Sequence, residues 1–240
     1  MKVRSIYSPN FNKKRRSYKS IKFLIIHYTG MQSERESIIR LCNSKSKVSS
    51  HFVINQKGKI YRLVQDNQIA WHAGKSCWGK YKNLNKTSIG IELVNKGHKF
   101  GYTNFKKKQL SSLIKICKNL IRKYRIKKQN IVGHSDVAPL RKIDPGEKFP
   151  WKELAYEKIG IWHNCNTKIL KKLRKVRISS KFKSEFINSL KKIGYCFDNK
   201  KKANFVKIIK AFQRHYRKEL INGIIDRECL LIAKNILKKI

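Results

Sequence analysis

Apolar runs in the first 133 residues are short, rich in β-branched side chains and closed by polar or turn-forming residues, a pattern that fits strands better than long helices. The run at 21–26 ends directly at His27-Tyr28-Thr29-Gly30, so it reads as a buried strand whose last side chain can face a cleft. The runs at 50–55 and 59–64 flank Gln56-Lys57-Gly58, a glycine-containing connection of hairpin length, and are expected to pair antiparallel. Residues 88–94 read as a central strand carrying one carboxylate, Glu92, and 129–133 as a short strand leading to His134. Between these runs the spacing predicts helices over 33–41, with Glu34 and Glu36 in the first turn, and over 105–124. Such alternation gives an α/β or α+β layered domain.

Composition changes near Gly160. Over 167–240 there is no strand-like alternation, whereas Phe186, Leu190 and Ile193, then Phe205, Ile208, Ile209 and Phe212, then Leu230, Leu231, Ala233, Ile236 and Leu237 form helical stripes. The expected organisation is a basic lead at 1–20, a layered domain at 21–160 and a small helical domain at 161–240. The segment 71–79, WHAGKSCWG, follows neither period and reads as a loop.

Lysine and arginine number 58 against 14 acids, a net charge of +44, which points to polyanions or anionic surfaces as partners. Compositional drift toward lysine produces the same field. The arginines that make bidentate contacts in nucleic-acid sites are scattered from Arg4 to Arg227, and no nucleic-acid partner is expected. Six cysteines lie far apart without a CxxC pair and read as free thiols of a reducing compartment. The lead is basic and polar, the first apolar run is too short for a signal peptide, and no stretch reaches the roughly 20 apolar residues of a transmembrane helix. A cytoplasmic chain is the expectation; nothing indicates its oligomeric state.

His27 and His134 each close a short apolar strand, and Asp144 follows ten residues after the second histidine in a loop bounded by proline and glycine. Two imidazoles and a carboxylate make a three-ligand zinc site with a fourth position for water; two strand-end histidines hydrogen-bonding in a cleft give the same pattern. Glu92 is one of nine acids before Gly160 and sits inside an apolar run. A desolvated glutamate near a metal could act as general base, and a salt bridge to one of the many lysines would also account for it.

Six blocks bring the two histidines, the glutamate and the aspartate into one frame: HYT at 27–29, SHF at 50–52, WHAG at 71–74, SIGIE at 88–92, GHSDVAP at 133–139 and KIDPG at 142–146. In kind and order they resemble zinc N-acetylmuramoyl-L-alanine amidases of the AmpD/AmiD type, relatives of peptidoglycan recognition proteins and phage amidases. The resemblance implies a mixed central β-sheet flanked by helices, with Zn²⁺ held by His27, His134 and Asp144, and Glu92 and Lys142 at the positions used for catalysis. It places His72 and His51 beside the substrate, with Trp71 and Trp78 on the sugar or peptide path.

The implied reaction is hydrolysis of the amide joining N-acetylmuramic acid, or its 1,6-anhydro form, to L-alanine of the stem peptide, with peptidoglycan or muropeptides as substrate. A peptidoglycan-binding recognition protein without activity is the alternative from another class, but binding-only relatives lose a zinc ligand and all three persist here. A phage-type endolysin amidase would perform the same chemistry in another setting. The blocks LKKIGY at 190–195, AFQRHY at 211–216 and NGIID at 222–226 resemble the three-helix peptidoglycan-binding domain that accompanies many wall hydrolases.

Overall fold

The computed structural model describes residues 3–197 and 202–240. Six strands form a mixed sheet: β1 (Val3–Ser5), β2 (Phe23–Tyr28), β3 (Phe52–Ile54), β4 (Ile60–Arg62), β5 (Ser88–Leu93) and β6 (Ile131–Gly133), in the spatial order β1-β4-β3-β5-β2-β6. Strands β3 and β4 pair antiparallel, as their short connection predicts, and the other neighbours are parallel. Parallel pairing needs long crossovers, and α1 (Glu34–Cys42) and α2 (Lys107–Tyr124) supply helices for them. The Ser33 hydroxyl caps α1 by accepting the Glu36 N–H.

Alternation along the central strands sorts side chains into two layers. Leu24, Ile26, Ile89, Ile91 and Leu93 share a cluster with Leu113, Ile116 and Leu120 of α2. The opposite face carries Phe23, Ile25 and His27 from β2, and Ser88, Gly90 and Glu92 from β5. Phe23 and Ile25 join Val132 in a second cluster, which extends without interruption into the C-terminal helices through Phe186, Leu190, Ile208, Phe212 and Ile232. Those helices are α5 (Thr167–Leu173), α6 (Ser180–Ile193), α7 (Lys202–Tyr216) and α8 (Arg227–Leu237), following the short α3 (His134–Val137) and α4 (Trp151–Tyr156). The three expected helical stripes fall on α6, α7 and α8. Helix α5, too short to display a stripe, is added ahead of them and starts where the Asn166 side chain accepts two backbone N–H groups.

Two expectations are corrected. The basic lead is not separate from the layered domain: β1 edges the sheet, Phe11–Asn12 pairs with Ile69–Ala70, and the Arg16 side chain is buried. Nor are all six cysteines free. Cys77 and Cys196 form a disulfide between the 71–79 loop and the segment after α6, whereas Cys42, Cys117, Cys165 and Cys229 are free. A separation of 119 residues carries no local signature; only the folded chain brings the two thiols together. The loop also contains the strand of a small ribbon, with Cys77–Trp78 antiparallel to Tyr81–Lys82.

Candidate active site

Register assembles the site. In the parallel pair β2/β5, His27 lies opposite Glu92; in β2/β6, Gly133 lies opposite Ile26, so the next residue, His134, leaves the sheet at the level of His27. These are carboxyl ends of parallel strands, where open sheets form crevices. The loop after α3 returns Asp144, and Ser135 N–H donates to the Asp144 carbonyl at 2.8 Å. As a result His27 Nδ1, His134 Nδ1 and Asp144 Oδ2 stand 2.9–3.1 Å from one another, all three side chains buried. These three residues form the group among the described residues whose donor atoms could together hold a metal ion.

Hydrogen bonds behind the histidines fix what faces inward. His134 Nε2 lies 3.2 Å from the Ala73 carbonyl, which only accepts, so Nε2 carries the proton and Nδ1 presents a lone pair. On the other side Ser88 Oγ donates to Leu84 O and accepts from His72 Nε2–H at 3.1 Å; His72 Nδ1 then accepts from His27 Nε2–H at 3.1 Å. His27 Nδ1 is left with a lone pair as well. Two imidazole lone pairs and a carboxylate within 3.1 Å of each other repel unless a cation lies among them, and outer hydrogen bonds of this kind orient metal-ligating histidines. Burial, reinforced by His134, lowers the His27 pKa to about 4. Neutral imidazoles and an ionised carboxylate are the donor set that zinc requires.

Glu92 is buried, and its Oε2 has no hydrogen-bond partner. Burial pushes its carboxyl up to about 8, with Asp144 adding to the rise and Lys142 opposing it. Both Glu92 and Lys142 line a cleft of about 420 Å³ together with the three converging residues. Arg40, Lys96, Lys99 and Arg141 also line it, so the cleft is strongly cationic and suited to a substrate bearing carboxylates.

Residues 17–147 match the family described as N-acetylmuramoyl-L-alanine amidase. The chain belongs to this amidase family. Over 236 residues it is 35% identical to the N-acetylmuramoyl-L-alanine amidase AmiD of Escherichia coli K12, covering 93% of this chain and 84% of that relative. The fold is similar to that of E. coli AmiD solved in complex with the substrate anhydro-N-acetylmuramic acid-L-Ala-D-gamma-Glu-L-Lys, with a TM-score of 0.82, 34% identity and coverage of 95% and 93% of the two chains. It is likewise similar to AmpDh3 of Pseudomonas aeruginosa in complex with anhydromuramic pentapeptide, with a TM-score of 0.80, 30% identity and coverage of 95% and 96%. By family and by these relatives the chain is an N-acetylmuramoyl-L-alanine amidase.

In this amidase the four residues expected near the substrate lie in different surroundings. His51 is fully buried between Arg16 Nη2, the Gln68 carbonyl and the Gly90 N–H, away from the cleft. His72 borders the cleft, but Ser88 and His27 take both of its ring nitrogens, so it supports His27 and has none left for a ligand. Trp71 donates to Asn12 Oδ1 at 2.6 Å in a different hollow, beside Tyr7 and Phe11. Trp78 is buried edge-on against Tyr195, its centroid 4.8 Å away. Sequence reading missed Ser88, whose hydroxyl starts the chain of bonds to His27, and Arg141, which donates to the Ala73 and Lys75 carbonyls on the cleft wall. Ser88 had one signal: as the first residue of an alternating strand it shares the face of Glu92.

Proposed function

We propose that the chain is a zinc amidase in which His27, His134 and Asp144 hold Zn²⁺, Glu92 is the general base and Lys142 stabilises negative charge. The convergence of three lone-pair donors within 3.1 Å, with the two imidazoles kept in their tautomers by outer partners, carries the reading. When bound, zinc supplies a Lewis acid for the lactyl carbonyl and lowers the pKa of a water ligand to about 7. Glu92, which lines the cleft and would lose its proton once a bound cation offsets its burial, would take the proton of the attacking water and pass it to the departing L-alanine nitrogen. The Lys142 ammonium opposes the charge that grows on the carbonyl oxygen; loss of one such donor costs about 10²–10³ in rate.

Several observations support the finer choices. The cationic cleft fits stem-peptide carboxylates, and two similar structures carry anhydromuropeptides, which favours wall fragments of that class as substrates alongside intact peptidoglycan. Residues 161–240 act as a helical peptidoglycan-binding-like domain, the resemblance blocks falling on α6, α7 and the turn before α8. The Cys77–Cys196 disulfide supports an oxidising compartment, the cell envelope, over the cytoplasm expected from composition. Among the described residues no helix is long and apolar enough to cross a membrane. Mass spectrometry of sacculi and anhydromuropeptides digested by wild type and Glu92→Ala tests the reading. Wild type should release peptides with a free L-alanine amino terminus and Glu92→Ala should not; intact substrates under wild-type digestion with zinc would refute it.

A further inference from the structure

Asp136 is two residues beyond His134 and buried, and it bears on the strand end that delivers that histidine. Its Oδ2 accepts the Gly133 N–H at 2.7 Å, pinning the backbone just before His134. The remaining bonds to this carboxylate come from the C-terminal helices. Tyr195, just after α6, donates its hydroxyl to Oδ1 at 2.7 Å, and His215 of α7 donates Nδ1–H to Oδ2 at 2.7 Å. Both donors are themselves held. The His215 ring is stacked between Trp151 and Tyr216, with centroids 3.9 and 4.0 Å away and interplanar angles of 14° and 16°. Tyr195 packs edge-on against Trp78, Gly79 N–H donates to the Gly194 carbonyl at 2.7 Å, and the next residue, Cys196, is bonded to Cys77.

We infer that Tyr195 and His215 are positioning residues for the metal centre, acting through Asp136 on the turn that carries His134. A carboxylate buried among three donors has little freedom to shift, so the turn Gly133–His134–Ser135 inherits the rigidity of the helices behind it. Ser135 N–H also holds the Asp144 carbonyl, so the same turn positions two of the three donors. The C-terminal helices thereby become part of the hydrolytic machinery in addition to any wall binding. This inference rests on the proposed zinc site.

Zinc affinity of the full-length protein, measured by competition with a chromophoric chelator, tests it in wild type, Tyr195→Phe, His215→Gln, the double variant and Arg217→Met. Arg217 makes a buried ion-pair network with Asp226 and Glu228 in the C-terminal helices without touching Asp136, so its loss reports general weakening of those helices. The double variant should bind zinc about 10–100-fold more weakly, with kcat lowered and KM unchanged, while folded Arg217→Met keeps wild-type affinity. Tyr195→Phe, which removes one hydroxyl at constant shape, carries the test alone should the double variant fail to fold. Wild-type affinity in Tyr195→Phe and His215→Gln, or an equal loss in Arg217→Met, would overturn the inference. A wild type that binds no zinc would overturn the metal site itself.

Discussion

A carboxyl whose pKa is raised to about 8 by burial, as at Glu92, ties stability to pH. Between its ordinary value of 4.5 and about 8 the folded chain keeps a proton that the unfolded chain has released, so the metal-free protein loses stability as pH rises through this window. Glu92→Gln removes the dependence. Its melting temperature, measured without metal, should gain on wild type from about pH 5 to about pH 8, while kcat falls by about 10²–10⁴ and zinc affinity persists; parallel melting profiles would contradict this. His72 gives a second prediction. Because both its nitrogens are engaged, His72→Ala should weaken zinc binding about 10–100-fold with KM unchanged, whereas a substrate contact would raise KM at constant zinc affinity. His27, Glu92, His134 and Asp144 stood out as candidates because scarce acids and strand-end histidines are conspicuous in a lysine-rich chain, and the six-block resemblance is what joined them into one site. The role of His72 was not legible, since it follows from which partners fill its two nitrogens, and those lie elsewhere in the sequence.

At the scale of elements, β5 shows what alternation can do. Ser88, Gly90 and Glu92 share one face: Ser88 holds His72, Glu92 faces the cleft, and Gly90 leaves space for the His72 ring, which a Cβ there would approach to 2.5 Å. Gly90→Ala should therefore cost about 1–3 kcal/mol of stability through overpacking and displace His72 from His27, weakening zinc binding. Chemical denaturation and a zinc titration check both; wild-type values in the two would show that the ring is free to move. Apolar runs announced β2, β3, β4 and β5, and the Gln56-Lys57-Gly58 connection announced the hairpin. What the runs did not contain was register. His27 faces Glu92 because two strands with residues 29–87 between them pair in parallel at one offset, and nothing local encodes that offset. The same limit hid the pairing of Cys77 with Cys196 and the use of Arg16 as an internal strut donating to the Asp66, Asn85 and Ser88 carbonyls.

Across the whole molecule, the compositional change near Gly160 reflects a change in secondary structure without a break in packing. The sheet residues Phe23, Ile25 and Val132 share an apolar cluster with Phe186 and Phe212, and Asp136 is bonded from the helical side. Calorimetry of the intact protein should accordingly show one cooperative unfolding transition; two separated transitions would mean that the halves fold independently. Element types in both halves were readable from periodicity, but the shared core was not, because each helical stripe shows which face is buried and not what covers it. The most direct test of the account is the zinc content of metal-free protein after equilibrium dialysis against zinc, for wild type and for His27→Ala, His134→Ala and Asp144→Ala. One zinc per chain in wild type and little in each folded variant is the predicted result; a wild type without zinc, or variants that retain it, would contradict the account.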